Sequence, residues 1–247
     1  MKKKRNTAIV LAAGQGKRMH SSIQKQFLEI AGHPVLYYSL NCFQNSSLID
    51  DIIVVTSEDM IDYCKEQIVN KYNLDKVSRV ISGGKERYDS VYNGLLACEN
   101  TDFVYIHDGA RPFITDEILQ RGASGVKKTG ACVVGMPTKD TIKISDGDGF
   151  VNQTPDRNSV WTIQTPQIFE YNLIRNAHEN IRKKDMTIIT DDSMVVEHET
   201  GEKVCLVEGS YQNIKITTPE DLDIAEFFLK KQKNQKKIKK LIDTVNN

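Results

Sequence analysis

The sequence predicts an α/β fold in which a mostly parallel sheet is covered by helices on both faces. Short β-branched runs alternate with segments of helical periodicity along most of the chain, which indicates repeated strand–helix units. The strand-like runs carry few polar residues, as expected of strands that are buried on both faces of a parallel sheet. Glycine-rich turns follow two of these runs, at 14–16 and 83–84. Such turns are typical of sheets that bind ligands beyond the carboxyl ends of their strands.

The alternation assigns the elements in order. Strands are predicted at residues 8–13, 52–56, 77–81, 103–106, 131–136, 204–207 and 214–216. Helices are predicted at about 34–43, 58–69, 88–95, 115–128 and 171–182, and again after 191 and 218. Thr218, Pro219 and Asp221 have the order of a helix start, with a capping threonine, a proline in the first turn and an acid at the third position.

The alternation stops at Pro137, and residues 138–160 are mostly polar. Residues 146–149, Asp-Gly-Asp-Gly, predict a hairpin turn between short strands at 141–145 and 150–154. A two-stranded hairpin of this polarity is not stable alone in water. We therefore expect residues 138–160 to form an arm that lies against another surface.

Composition and charge exclude several classes of protein. The 247 residues carry 33 basic and 33 acidic side chains, so there is no global field that attracts nucleic acid or a membrane surface. Apolar runs are well short of the roughly 20 residues of a membrane-spanning helix, and no signal-type apolar segment follows the basic N-terminus. Five cysteines without Cys-x-x-Cys spacing are predicted to be buried thiols. We expect a cytoplasmic protein with no nucleic-acid or membrane partner.

Seven lysines lie between Lys230 and Lys240, after the last predicted helix face. Two interpretations are open, a tail that binds nucleic acid or another anionic partner, and a solvated helix end. The neutral chain and the lack of interleaved aromatic residues favour the solvated helix end. We therefore assign residues 1–229 to a single domain and residues 230–247 to a lysine-rich tail.

The first strand ends in a turn whose composition suits phosphate groups. Gly14 and Gly16 allow the backbone to turn, and Lys17, Arg18 and Lys25 follow. Exposed peptide N–H groups and fixed positive charge both favour phosphate oxygens. The turn is neither a dinucleotide fingerprint nor a Walker loop, because it lacks the third glycine of the former and the Lys-Ser/Thr of the latter. A basic surface turn is the alternative.

Residues 11–19, LAAGQGKRM, resemble the signature loop of sugar-nucleotide pyrophosphorylases and related nucleotidyltransferases. Five further segments are similar to the 2-C-methyl-D-erythritol 4-phosphate cytidylyltransferases of isoprenoid biosynthesis. They are residues 83–91 (GGKERYDSV), 107–112 (HDGARP), 156–167 (DRNSVWTIQTPQ), 190–192 (TDD) and 213–217 (NIKIT). The similarity runs in order from about residue 8 to residue 229, which is more specific than any single motif.

This resemblance implies a Rossmann-like, GT-A-like nucleotidyltransferase domain with a projecting arm. The activity that it implies is cytidylyl transfer from CTP to 2-C-methyl-D-erythritol 4-phosphate, which gives 4-CDP-2-C-methyl-D-erythritol and pyrophosphate. Mg²⁺ would bind mainly through the CTP phosphates, with Asp108 as the nearest protein ligand. The arm would pack on a second subunit and complete that subunit's site, which makes the protein a homodimer.

The resemblance also implies roles for individual residues. The catalytic side chains would be Arg18, Lys25, Arg157 and Lys215. CTP would be contacted, largely through the backbone, by Ala12, Ala13, Gly14, Gly16, Gly84 and Ser90. The sugar-phosphate pocket would be lined by Asp108, Gly109, Arg111, Thr141, Thr165 and Thr190. Thr141 and Arg157 would reach in from the arm of the neighbouring subunit.

Transfer to a phosphate monoester explains why the sequence needs no nucleophile–base pair. The acceptor phosphate has a second pKa of about 6, so it is a dianion at neutral pH and requires no general base. The obstacle is the repulsion between this dianion and the triphosphate. Catalysis then depends on positioning and on charge neutralisation by several cations and a divalent metal.

Two other functions compete with this one. Ribitol 5-phosphate cytidylyltransferases are similar to the chain at 164–167 and 213–217, but residues 89–91, 108–111 and 156–161 resemble the methylerythritol enzymes more closely. A protein that senses CTP without turning it over is disfavoured, because sensing needs no cations around an acceptor phosphate.

Several polar residues near these motifs have a structural interpretation as well. His107 follows a buried strand and is predicted to be a core histidine rather than an acid or base. Arg87 either holds the glycine turn or contacts the ligand, and Asp191 is either a helix cap or a ligand.

Overall fold

The computed structural model describes residues 4–14, 16–19, 23–184 and 189–245. Its strands are Asn6–Leu11 (β1), Glu29–Ile30 (β2), His33–Pro34 (β3), Asp51–Thr56 (β4), Val77–Ser82 (β5), Phe103–Asp108 (β6), Ala131–Pro137 (β7), Ile144–Ser145 (β8), Val151–Gln153 (β9), Trp161–Glu170 (β10) and Cys205–Glu208 (β11). Its α-helices are Val35–Asn45 (α1), Ile61–Cys64 (α2), Arg87–Ala97 (α3), Asp116–Thr129 (α4), Tyr171–Ile181 (α5), Asp192–Thr200 (α6) and Glu220–Val245 (α7). A seven-stranded sheet of order β11-β7-β10-β6-β1-β4-β5 forms the centre, and the hairpins β2–β3 and β8–β9 lie outside it.

Helices cover both faces of the seven-stranded sheet. Side chains alternate along β1, so Ala8 and Val10 belong to a core shared with α1, α2 and α4, whereas Ile9 and Leu11 belong to a core shared with α3, α5 and α6. All six residues of β4 are buried, which explains why its sequence is an almost continuous apolar run. The predicted α/β fold is therefore confirmed.

β10 is a long strand that the sequence patterns do not predict. It runs antiparallel between β6 and β7, whereas the other strand pairs of the central sheet are parallel. Its sequence, WTIQTPQIFE, lacks a β-branched run and contains Pro166, which lies where the pairing with β7 shifts register. Pattern analysis misses this central strand because a proline and two glutamines interrupt its apolar residues. The glutamine side chains can be buried because they form hydrogen bonds with neighbours that the sequence does not reveal.

The prediction of a strand at 214–216 is wrong. The segment pairs with no strand of the central sheet, and it lies beside the loop after β6, where the N–H of Ile216 donates to the carbonyl of Ala110 at 2.8 Å. Ile214 and Ile216 pack instead in a core with α7. Their β-branched side chains therefore reflect burial rather than strand pairing.

The predicted helices are present, with two details worth noting. The helix predicted at 58–69 is irregular, with a 3₁₀ turn at Glu58–Met60 before α2 and a π-helical stretch at Lys65–Asn70 after it. The predicted start of α7 is confirmed, because the Asp221 carboxylate accepts the N–H groups of Thr217 and Thr218 at 2.7 and 2.8 Å.

The helix α7 packs on the body of the protein near its start. Ala225 and Leu229 are buried and Leu222 is partly buried, as the helical spacing predicts. The lysine-rich segment continues the same helix to Val245, and residues 246 and 247 of the predicted tail lie outside the described residues. Among the helices described, none is both long and apolar enough to cross a membrane.

Residues 138–160 contain the predicted hairpin. Its strands β8 and β9 pair antiparallel, and its turn is closed by Asp146 Oδ1, which accepts the N–H groups of Asp148 and Phe150. Phe150 and Val151 are 73% and 61% exposed. The arm therefore presents apolar side chains to its surroundings as well as polar ones.

Candidate active site

A cleft of about 930 Å³ lies at the carboxyl ends of the central strands. Its walls are the turn after β1, residues 57–59 after β4, residues 83–87 after β5, and Asp108 and Ala110 at the end of β6. Lys215, from the segment before α7, closes one side. Parallel strands place their following loops at one edge, so these distant segments meet there.

The turn after β5 is pressed closely against the turn after β1. A Cβ on Gly83 would lie 2.7 Å from both Ala13 Cβ and Ser90 Oγ, and a Cβ on Gly84 would overlap the side chain of Asp89. The Gly84 N–H donates to Ser90 Oγ at 3.1 Å. Only glycine fits at 83 and 84, which leaves backbone exposed to the cleft at this point.

Lys25 is a buried cation at the wall of the cleft. It is 8% exposed, and its side chain packs against Gly16, which has a positive φ of 63°. Among the described residues, no carboxylate lies within ion-pair distance of its ammonium. Burial, together with the neighbouring cations Lys215 and Arg18, lowers the pKa of Lys25 to about 8 against the opposing effect of Asp108 and Asp221. The site therefore contains positive charge that lacks a counter-ion.

Asp108 has the opposite environment, since three cations surround its carboxylate. Lys215 Nζ lies 2.7 Å from Oδ2, Arg87 Nε lies 3.3 Å from Oδ1, and Arg111 Nε lies 3.9 Å from Oδ2. Burial would raise the pKa of Asp108, but Arg87, Lys215 and Arg111 outweigh it and hold the pKa far below its usual range. Asp108 is therefore a carboxylate at any physiological pH.

His107 is buried next to Asp108, and hydrogen bonds link it to the backbone on both sides of the site. Thr165 Oγ1 accepts the N–H of Asp108 at 3.0 Å and donates its proton to His107 Nδ1 at 3.0 Å. The other ring nitrogen donates to the carbonyl of Arg111 at 3.1 Å. Burial lowers the pKa of His107 to about 4, so the ring is neutral. The predicted structural role of His107 is confirmed, and these hydrogen bonds hold the backbone at Asp108 in place.

Arg111 and Asn213 connect the segment that carries Lys215 to the sheet. Arg111 Nη1 donates to the carbonyl of Asn213 at 2.8 Å, and the buried Asn213 Nδ2 donates to the carbonyl of Thr165 at 3.0 Å. The loop after β6, strand β10 and the segment before α7 are thus held as one unit. This unit fixes where Lys215 stands in the cleft.

The structure brings together most, but not all, of the predicted site residues. Those that line the cleft are Ala13, Gly14, Gly16, Lys25, Gly84, Ser90, Asp108 and Lys215. Those that lie directly behind it are Ala12, Gly109 and Thr165, all buried, and Arg111. Those outside the cleft wall are Arg18, Thr141, Arg157 and Thr190, all exposed.

Each of these exposed residues has a definite position. Arg18 lies on a 3₁₀ turn, Lys17–Met19, next to the cleft. Thr190 contacts Met194 Sδ through its hydroxyl at 3.0 Å, just before α6. Thr141 and Arg157 lie on the arm, where Arg157 Nη1 donates to the carbonyl of Lys139 at 3.3 Å. Neither arm residue lines the cleft of its own chain.

Two parts of the site escape the sequence analysis. Asp192 is 1% exposed and binds Arg87 Nη2 at 2.8 Å. Gln24 Nε2 donates to Ser57 Oγ at 2.8 Å and so ties together the loops after β1 and β4. The sequence signals for Asp192 are its place in the segment 190–192 that resembles the family and its position beside Asp191, which caps α6 by accepting the N–H of Met194; neither gives Asp192 a role.

The described residues do not form a metal site of their own. No group of three or more His, Cys, Asp or Glu side chains in the described part of the chain could hold a metal ion. Both oxygens of Asp108 are engaged by cationic side chains. Most ligands of a divalent metal in this cleft would therefore have to come from a bound molecule rather than from the described side chains.

Comparison with known proteins places this geometry in a family. The family model described as "IspD: 2-C-methyl-D-erythritol 4-phosphate cytidylyltransferase" matches residues 6–231. A protein of Lachnoclostridium phytofermentans named 2-C-methyl-D-erythritol 4-phosphate cytidylyltransferase is 52% identical over 92% of this chain and 97% of its own length. A protein of the same name from Clostridium kluyveri is 50% identical over 93% of this chain and 99% of its own length.

A solved structure gives the same result. The crystal structure of 4-diphosphocytidyl-2C-methyl-D-erythritol synthase from Anaerococcus prevotii is 37% identical, with a TM-score of 0.82, and the match covers 92% of this chain and 99% of that one. The matches span nearly the whole domain rather than one motif. The chain belongs to the IspD family of 2-C-methyl-D-erythritol 4-phosphate cytidylyltransferases.

Proposed function

We propose that the protein transfers the cytidylyl group of CTP to 2-C-methyl-D-erythritol 4-phosphate, with release of pyrophosphate. The observation that carries the proposal is Lys25, a largely buried lysine on the cleft wall beside the glycine turn, whose pKa is lowered and which forms no ion pair with a described carboxylate. A polyphosphate supplies the missing negative charge. Membership of a family of nucleotidyltransferases supports the same chemistry.

The nucleotide would occupy the end of the cleft between the two glycine turns. Arg18 and Lys25 would bind the α-phosphate and the departing phosphates, together with peptide N–H groups of the first turn. The backbone of residues 12–14 and of Gly84, with Ser90 behind it, would contact the cytidine. Close contact between Gly83 and Ala13 supports this assignment, since it makes a narrow slot with exposed backbone.

The acceptor would bind at the other end, beside Lys215. Lys215 and Arg157 would hold its phosphate, and Asp108, Gly109, Arg111, Thr165 and Thr190 would surround the polyol. An oxygen of the acceptor phosphate attacks the α-phosphorus of CTP in line. A new P–O bond forms, the bond from the α-phosphorus to the bridging oxygen breaks, and its electron pair leaves with pyrophosphate.

This reaction needs no proton shuttle, and the described residues that line the cleft include no histidine. The acceptor phosphate is already a dianion near neutral pH. His107, the histidine nearest to the described cleft, is neutral and fully committed to hydrogen bonds with Thr165 and Arg111. The contribution of the protein is therefore to place cations around two anions that repel each other.

A divalent metal, Mg²⁺ in our proposal, would be carried by the phosphates of CTP. It would neutralise charge on the triphosphate. The described residues offer no preformed set of metal ligands, and Asp108 is engaged by three cations. The roles given to the side chains above do not depend on the metal, and the assignment of Asp108 as a metal ligand stays a prediction.

The arm would complete the site of a second subunit. Thr141 and Arg157 are exposed on it and do not line the cleft of their own chain, while Phe150 and Val151 offer apolar surface for a partner. A homodimer in which each arm enters the other subunit's cleft explains both facts. The cytoplasmic location and the division into a single domain at 1–229 and a lysine-rich tail at 230–247 stay predictions.

The substrate can be tested directly. We expect pyrophosphate release and a CDP-linked product when the protein is given CTP, Mg²⁺ and 2-C-methyl-D-erythritol 4-phosphate, and a rate at least about 100-fold lower with ribitol 5-phosphate, since a misplaced dianion loses the in-line geometry. Turnover with ribitol 5-phosphate alone would overturn the choice of acceptor. Binding of CTP without product from either acceptor would favour a CTP sensor.

Replacing Lys25 by methionine should separate activity from stability. We expect turnover to fall by about 100-fold to 1,000-fold, because a cation at the reacting phosphates is lost. The melting temperature should stay the same or rise, because a buried charge without a described partner is removed. Lys85→Met, at an exposed position on the rim of the same cleft, is the matched control and should keep turnover within about threefold. Unchanged turnover in Lys25→Met would refute the role of Lys25.

Binding of CTP should take up protons near pH 8. With a pKa of about 8 in the free protein, Lys25 is partly neutral at that pH, and phosphates that favour the ammonium raise its pKa, so binding draws in up to about half a proton. For the same reason, CTP affinity should fall as the pH rises above 8. Calorimetry in two buffers of different ionisation enthalpy measures the uptake, and Lys25→Met should lack it. Equal uptake in wild type and variant would contradict the assignment.

Mixed dimers should reveal whether the arm acts in trans. Lys25→Met removes a residue of the cleft, and Arg157→Ala removes a residue of the arm, so each variant alone should be nearly inactive. Co-expression of the two should restore about a quarter of wild-type turnover, since random pairing makes half of the dimers mixed and each mixed dimer has one intact site. No gain over the separate variants would show that Arg157 serves its own chain or none.

A further inference from the structure

Arg87 is a charged side chain of the cleft that has no assigned part in binding or transfer. It is the first residue of α3, directly after the second glycine turn, and it lines the cleft. Its Nε lies 3.3 Å from Asp108 Oδ1, and its Nη2 lies 2.8 Å from Asp192 Oδ2. A guanidinium offers several donors in one plane, so Arg87 holds both carboxylates at once in a fixed geometry.

Asp192 provides Arg87 with a fixed anchor. Its side chain is 1% exposed, and its own N–H donates to Gln167 Oε1 at 2.9 Å. Gln167 also receives the N–H of Ser193 at 3.0 Å and donates to Asp191 Oδ2 at 2.9 Å. The start of α6 is thus fastened to β10, although α6 contributes no residue to the cleft wall. Arg87 is held in place from outside the cleft.

The two oxygens of Asp108 serve different cations. Oδ1 faces Arg87, whereas Oδ2 binds Lys215 at 2.7 Å. Because Arg87 neutralises part of the charge of the Asp108 carboxylate, Asp108 binds Lys215 less strongly. The acceptor phosphate also meets less negative charge at Asp108. Without Arg87, Asp108 would hold Lys215 more tightly and would itself repel an incoming phosphate. Both effects oppose the binding of a dianion beside Lys215.

We propose that Arg87 is a positioning residue for the acceptor. Anchored on Asp192, it holds and neutralises Asp108, and this leaves Lys215 available to the acceptor phosphate. The inference rests on the proposed function and adds a consequence that the function alone does not require. Loss of Arg87 should impair the use of the acceptor and leave the use of CTP nearly unchanged.

Three variants separate this role from a structural one. Arg87→Met alone leaves Asp192 buried without a partner, so it is combined with Asp192→Asn, which preserves the shape of the anchor. The double variant loses one cation and one carboxylate, so the net charge of the cluster is that of the wild type. Asp192→Asn alone is the matched control, because it keeps Arg87 on Asp108. Arg87→Lys tests rescue by a cation that reaches one carboxylate at a time.

Steady-state kinetics with each substrate varied in turn provides the readout. In the double variant we expect the KM for the acceptor to rise about tenfold, because the hydrogen bond from Arg87 to the Asp108 carboxylate is lost and a bond of this kind is worth about that factor. The KM for CTP should stay within about twofold of wild type. Asp192→Asn should match the wild type within about twofold, and Arg87→Lys should lie between the two. Equal rises in both KM values, or the same rise in Asp192→Asn, would overturn the proposal. Circular dichroism and CTP binding confirm that each variant is folded.

A second cycle tests whether the effect passes through Lys215. In a Lys215→Met background, followed by single turnover with labelled CTP, adding the double substitution should change the acceptor dependence clearly less than about tenfold, because the tighter hold of Asp108 on Lys215 no longer contributes. A tenfold change that persists there would overturn the proposal. Wild-type protein that makes no product would instead remove the proposed function, and this inference with it.

Discussion

The pairing of Asp108 with cations from three separate segments organises the site. Arg87 comes from the start of α3, Arg111 from the loop after β6, and Lys215 from the segment before α7. A carboxylate that is 8% exposed is stable only when it is paired, so burial of Asp108 forces these segments together. Thr165 Oγ1, which accepts the N–H of Asp108 and is hydrogen-bonded to His107 Nδ1, then holds the backbone at Asp108 in place. The side of the cleft that carries Asp108 and Lys215, where we propose that the acceptor binds, is arranged before any substrate arrives.

Lys25, at the proposed nucleotide side of the cleft, is a charged side chain that lacks such an ion pair. Its side chain is largely buried without an ion pair to a described carboxylate, and burial is the main cause that lowers its pKa to about 8. A group in this condition costs folding stability in the free protein and recovers it when an anion binds. The cleft thus holds cations that are ion-paired with Asp108 and, in Lys25, a largely buried cation without an ion pair among the described residues. Such a division suits two anionic substrates with different charge, because the triphosphate brings more negative charge than the monoester.

Sequence patterns predict most strands and helices of this fold, but they fail at β10 and at residues 214–216. Periodicity finds the buried parallel strands and their helices, because each strand of this kind is apolar on both faces. It misses β10, which contains a proline and whose buried Gln167 is hydrogen-bonded to Asp191 and to the N–H of Asp192, and it mistakes the β-branched segment at 214–216 for a strand. At the site, glycine and charge patterns identify the turn and the separate cations. They do not reveal that Arg87 bridges two carboxylates, because Asp192 lies 105 residues away in the sequence.

In the part of the cleft that the structure describes, the lack of a proton shuttle follows from the same electrostatics. His107 is adjacent to Asp108, yet its two nitrogens are used by Thr165 and Arg111, and burial keeps the ring neutral down to about pH 4. Asp108 cannot accept a proton near neutral pH because its surrounding cations stabilise the carboxylate. Among the groups of the described cleft whose pKa shifts are known, this leaves Lys25 as the one that changes protonation near physiological pH. The pH dependence of such a site therefore reports how the phosphates are held rather than how a proton is moved.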